Sequence, residues 1–301
     1  MPDAPEKPVP RPADFPALYD IEEFNTRLKA AFDRINKIRP YKMESLGQVG
    51  GRDIFLLSPA APDDTKPSIL TAGGFHGNEP AGPWGILEFL ETADEETLKK
   101  VNHSFIPLVN PSGFERAQRY NIFDENPNRG FVPEYITSEE EEDADWTNRG
   151  PSAEGAILLA HGDRLAKLAK HGFTSQHEDD GLNEGFIFIN ETGAQPSKTA
   201  TAYLDTIQKY FPLIPDGGKN ELEGAPIKDG MWVNGMDSSF ETWMINKGVP
   251  VTVTSETPSL EPARARVDCN RDFVQAFADV TVEIHAKPKP AQQIKPKGPK
   301  P

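Results

Sequence analysis

Residues 249–255 read VPVTVTS, a β-branched run that suits only a buried strand. Further short strands are read at 42–46, 53–58, 68–72, 104–109, 173–176 and 186–190, with Gly50-Gly51 as a turn between the first two. Helical patterns separate them. Ile21, Phe24, Leu28, Phe32 and Ile35 recur at spacings of three and four, the mark of an amphipathic helix, which Pro40 stops. Further helices are expected from Pro80 to about residue 90, over 153–170 up to His171-Gly172, and over 198–211, 240–246 and 272–285. Strands that alternate with helices imply an α/β fold. The expectation is a single domain with a central mixed, mostly parallel twisted sheet of about eight strands and helices on both faces. In such sheets the chemistry sits at the carboxyl ends of strands.

The chain has 301 residues, enough for one large α/β domain, and no break in composition divides it. Residues 1–13 and 286–301 are rich in Pro and Lys and lack apolar periodicity, so they are expected to be disordered tails around a folded unit at 14–285. The formal net charge of −15 argues against a nucleic-acid partner, because phosphates need Lys and Arg to neutralise them. A single cysteine, Cys269, rules out an intrachain disulfide and fits a reducing compartment. The N-terminal stretch lacks an apolar h-region, and no apolar run is long enough for a bilayer, so a cytoplasmic protein without membrane insertion is expected. The acidic run 138–145 (SEEEEDAD) reads as a solvated loop, since its spacing matches no calcium-binding EF-hand. Nothing in the sequence fixes the oligomeric state.

The polar residues that follow the strands carry the functional signal. Phe75-His76-Gly77-Asn78-Glu79 comes directly after the strand at 68–72. A His and a carboxylate three residues apart can converge on one ion, and the nearby glycines Gly73, Gly74 and Gly77 permit a tight path. Zinc accepts both donor types and takes three protein ligands plus water at a catalytic site. His177, after the strand at 173–176 and beside Glu178, Asp179 and Asp180, is the candidate third ligand, with those carboxylates suited to orienting its ring. His103, His161, His171 and His285 read as surface or capping histidines. Glu256 follows the buried run 249–255, where partial desolvation would raise its pKa towards that of a general base.

Taken together, these residues resemble the zinc metallocarboxypeptidase family, with its carboxypeptidase A-like fold, and in particular its branch of aspartoacylases and succinylglutamate desuccinylases. His76-Gly77-Asn78-Glu79 is similar to the family's HxxE ligand pair. Asn110-Pro111-Ser112-Gly113 is similar to its NPDG turn, with Ser112 in place of Asp. Arg119-Tyr120-Asn121 and then Asn128-Arg129 resemble its Arg and NR pair, although the pair usually follows Asp-Leu or a similar dipeptide and here Asp124-Glu125-Asn126-Pro127 intervenes. The family's mobile tyrosine has no match in Met231-Trp232-Val233-Asn234-Gly235, which favours the acylase-like branch or a specialised carboxypeptidase.

The resemblance implies one zinc ion held by His76, Glu79 and His177, with Glu256 as general base. Arg119 would polarise the scissile carbonyl, and Asn128 and Arg129 would bind the substrate carboxylate, a task for which a guanidinium fork is suited. The implied reaction is hydrolysis of an amide next to a free carboxylate, at the C-terminus of a peptide such as a cell-wall peptide. Two alternatives stand beside it: an amidohydrolase of N-acyl amino acids, and a zinc-binding protein without catalysis.

Overall fold

A computed structural model describes residues 18–136, 150–216 and 227–286. The expected N-terminal tail, the acidic run 138–145 and the C-terminal tail beyond Ala286 lie outside the described residues.

Helix α1 (Ile21–Ile38) forms where the three-and-four spacing places it. Asp20 caps it by accepting from the backbone N–H of Glu22 and Glu23, which also put acidic charge at the positive end of the helix. Its Ile21, Phe24, Leu28, Ala31 and Ile35 are buried. The strands follow as β1 (Tyr41–Val49), β2 (Arg52–Pro59), β3 (Ser68–Gly73), β4 (Asn102–Ile106), β5 (Phe173–Asp179), β6 (Phe186–Glu191), β7 (Met231–Val233) and β8 (Val251–Pro258). The remaining helices are α2 (Ala81–Thr92), α3 (Glu95–Lys100), α4 (Pro111–Glu115), α5 (Ala153–Ala160), α6 (Gly162–Leu168), α7 (Lys198–Gln208), α8 (Phe240–Asn246) and α9 (Ala263–His285).

The eight strands make one mixed sheet in the order β1-β2-β4-β3-β5-β8-β6-β7. Its centre, β4-β3-β5-β8, is parallel, while β2 joins β4 and β6 joins β8 antiparallel. Alternate residues of the strands feed two cores on opposite faces. Leu57, Phe105, Ile69 and Val253 pack with α1, α2, α7 and α9, whereas Leu56, Ile106 and Leu70 pack with α5, α6 and α8. The chain leaves β3 towards β4 and later returns to add β5 on the other side. Strand order therefore reverses between β3 and β5, and a crevice opens beyond their carboxyl ends.

Several boundaries differ from the expectation. The helix anticipated over 153–170 is two helices that meet at His161, whose Nε2–H donates to the Leu46 carbonyl at 3.0 Å. The last helix begins at Ala263, not near 272. Its first turns carry Arg264, Arg266, Asp268 and Arg271, whose charges hide the apolar stripe of Val267 and Val274. Strands β5 and β8 run further than expected, so His177 and Glu256 lie within strands, not after them. In β8 the ladder to β5 continues to Pro258, which satisfies the backbone of these polar residues. His103 is not at the surface but within β4, fully enclosed, with its ring stacked on Phe105 and its Nε2 2.8 Å from Thr71 Oγ1.

Candidate metal centre

The crevice between β3 and β5 is where His76, Glu79 and His177 meet. After Gly73 the chain turns through Gly74, whose φ of +65° is costly for a side-chain-bearing residue. It then presses against the turn that opens α4: a Cβ on Gly77 would stand 2.0 Å from the carbonyl carbon of Gly113. That turn is held by Asn110, which accepts from the Gly113 N–H, and by Ser112, which accepts from the Ile122 N–H. The packed loop fixes where His76 and Glu79 point.

Ligand atoms of His76, Glu79 and His177 lie within 4.8 Å of one another, and all three residues are buried. His76 Nδ1 is 2.7 Å from Glu79 Oε1, and His177 Nδ1 is 2.8 Å from Glu79 Oε2. Arg119 Nη1 donates to the same Glu79 Oε1 at 3.0 Å. Burial alone would raise the Glu79 carboxyl, but the flanking imidazoles hold it well below the usual carboxylate range. Burial, reinforced by Arg119, lowers His76 to about 3. For His177 burial also acts downward, but Glu79 in contact and Glu256 and Glu241 nearby carry it up to about 9. Two imidazoles and one carboxylate, converging through both Nδ1 atoms, are a donor set that fits a divalent ion with a position left for water. Hydrogen bonds to the far ring nitrogens differ. His76 Nε2 stands 3.3 Å from Asn126 Oδ1.

Glu256 faces His177 directly across the β5–β8 ladder. Desolvation raises its carboxyl well above the ordinary range, with Glu79 and Asp179 pushing the same way. Arg129 lines the same cavity, donates to the Asn128 carbonyl and lies 3.5 Å from Asp237. Asn128 is buried, and both ends of its amide are engaged within the protein. Its Oδ1 accepts from the Phe240 N–H and its Nδ2 donates to Glu241 Oε2, both at 3.1 Å.

The cavity, of ≈ 390 Å³, extends from these groups to Phe188, Trp232 and Asp237. Trp232, Asp237 and Glu241 fall in the stretch 231–243, which the sequence offers as pocket lining without ranking its members, whereas Phe188 carries no such signal. Glu241 resembles an ordinary acidic residue in the first turn of a helix, and only the fold brings it 3.9 Å from His177 Nε2. Glu178, expected to orient His177, does not reach it. Successive strand residues face opposite sides, and Glu178 instead pairs with Arg266 and accepts from the Ala81 N–H at 2.7 Å.

Comparison with known proteins agrees with this picture. The family described as the succinylglutamate desuccinylase/aspartoacylase catalytic domain matches residues 65–150. Carboxypeptidase E of Caenorhabditis elegans is 33% identical over 109 residues, which span 30% of this chain and only 23% of that protein. Among solved structures, a "putative metallopeptidase" of Shewanella baltica OS155 is 35% identical with a TM-score of 0.78, over 87% of this chain and 92% of the other. A metallo-carboxypeptidase of Burkholderia cenocepacia shares the fold at 17% identity, with a TM-score of 0.58 over 87% of this chain and 70% of its own.

Proposed function

This chain belongs to the metallopeptidases, and from that premise we propose that it is a zinc-dependent hydrolase of amide bonds next to a free carboxylate, with the C-terminal residue of a peptide as leaving group. The observation that carries the reading is one cavity holding the His76–Glu79–His177 cluster, the guanidiniums of Arg119 and Arg129, and the desolvated carboxyl of Glu256.

A zinc ion held by His76, Glu79 and His177 would supply a water with its pKa lowered towards about 7 and a Lewis acid for the carbonyl oxygen. Glu256 takes the proton from the attacking water and delivers it to the departing amine, a task for which a raised pKa is suited. Arg119, half-exposed beside Glu79, stabilises the oxyanion of the tetrahedral intermediate. Arg129 binds the substrate carboxylate. Asn128, whose amide is already engaged, serves by shaping the cavity floor and holding Glu241.

A second reading, cleavage of N-acyl amino acids, is favoured by the desuccinylase/aspartoacylase match and by Trp232 in the stretch where carboxypeptidases carry a tyrosine. One panel separates the two: peptides with free and with amidated C-termini, including cell-wall peptides, beside N-acyl amino acids, each assayed with zinc and after chelation. The primary reading expects hydrolysis of free C-termini only, lost on chelation and restored by zinc. Equal cleavage of amidated peptides would overturn it, and turnover confined to N-acyl amino acids would replace it with the second. The absence of any turnover would leave a zinc-binding protein, against which intact Glu256 and Arg119 argue.

A further inference from the structure

The geometry points to Glu241 as a positioning residue that hydrogen-bonds the far nitrogen of His177 and so fixes which nitrogen of that ring faces the metal. This inference rests on the metal site proposed above.

His177 Nε2 and Glu241 Oε1 are both buried, and neither has a hydrogen-bond partner among the described residues. They face each other at 3.9 Å, from side chains only 3% and 5% exposed. A water bridging the two at its ordinary angle, with bonds of about 2.8 Å, would hold them about 4.5 Å apart, so the shorter separation favours direct contact. Leaving two such groups unpaired costs the desolvation of both, whereas a shift of roughly 1 Å closes an N–H···O bond between them.

The surroundings limit what else either group can do. Glu241 Oε2 is held by Asn128 Nδ2, and Asn128 Oδ1 is held by the Phe240 N–H at the start of α8. Phe75 stacks on the His177 ring at 5.7 Å between centroids and 13° between planes, so the ring cannot swing away from Glu241. The other charged group in contact with His177 is Glu79, on Nδ1. A neutral imidazole carries one N–H. If Nε2 holds it for Glu241, the lone pair is left on Nδ1, the nitrogen that meets the ligand cluster. A carboxylate partner also makes that nitrogen a stronger donor. His76 has no such carboxylate among the described residues, since its Nε2 meets the amide oxygen of Asn126. The two histidines are therefore unequal ligands, and His177 is the tighter one.

The test measures metal binding apart from turnover. Metal-free wild type, Glu241→Gln and Glu241→Ala are titrated with zinc against a chromophoric chelator, and the cobalt(II) forms are compared by absorption spectroscopy. Zinc affinity should fall about 10–100-fold in the Ala variant and less in the Gln variant, which keeps the shape and an acceptor oxygen but not the charge. The cobalt spectrum should shift in both. If the Ala variant does not fold, the near-isosteric Gln variant carries the comparison. Zinc bound equally by all three proteins would overturn the inference alone, as would unchanged zinc release with altered preference between cationic and neutral C-terminal residues. Failure of wild type to bind zinc would instead overturn the metal reading on which it rests.

Discussion

Glu256 owes its raised proton affinity to desolvation at the cavity wall, and removing that group tests its role most directly. Glu256→Gln should lower kcat by about 10²–10⁴ while zinc content stays at the wild-type level. Near-normal turnover would exclude it as the base. Arg119→Ala should cost about 10²–10³ in kcat if the guanidinium meets the oxyanion, read from steady-state kinetics on the same substrate. His103 has no place in the chemistry but bears on stability. Burial lowers it to about 3 from an ordinary value near 6.5, so the unfolded chain binds a proton there that the folded chain does not. Its contribution is complete above about pH 6.5 and is lost as the pH falls towards 3. The stability difference between wild type and His103→Asn should therefore be smaller at pH 4 than at pH 7 in urea unfolding. A constant difference would show that His103 titrates normally. His76 and Glu79 announce themselves in the sequence because they come just after the apolar run 68–72, and His177 because it ends a short strand among the carboxylates 178–180. Glu241 and Asn126 do not, because a residue that acts through another side chain leaves no local pattern.

Among elements, the packing of α2 on α9 has the most direct bearing on the site. A Cβ on Gly85 would lie 2.5 Å from Asn270 Cβ and 2.7 Å from the Arg271 backbone nitrogen. Asn270 in turn accepts from Gln176 Nε2 through its carbonyl and donates to Thr257 Oγ1, so it ties α9 to the residues next to His177 and Glu256. Gly85→Ala should destabilise the fold by about 1–3 kcal/mol and should also reduce turnover, measured by urea unfolding and by kcat. Full stability would mean that the two helices separate freely. The interior of each element was legible, since periods of two and of three to four are set by which face is buried. Ends were less so. The start of α9 is masked by charged side chains that form i,i+4 pairs such as Arg264–Asp268, and β7, at three residues, is too short to show alternation. Strand order was not legible, because β4 takes its place between β2 and β3 through a crossover that no local pattern records.

For the whole molecule, a metal bound only by the native state links stability to its concentration. The ligands come from the loop after β3 and from β5, so they assemble only when the sheet is complete. Free zinc at about 100 times its Kd should add about 2.7 kcal/mol to folding. Chelation should accordingly lower Tm by several degrees, reversibly on readdition. An unchanged Tm across that range would mean no specific ion is bound. No helix among the described residues is long and apolar enough to cross a membrane.

His177 and Glu256 occupy facing rungs of two adjoining strands. The gap between such strands is a constant of the peptide group, so no substitution nearby can change how far apart this pair begins. The stretch at 234–239, which contributes Gly235, Asp237 and Ser239 to the cavity, is under no such constraint. Relatives with a different appetite should therefore have diverged there, with the reacting pair left where it is.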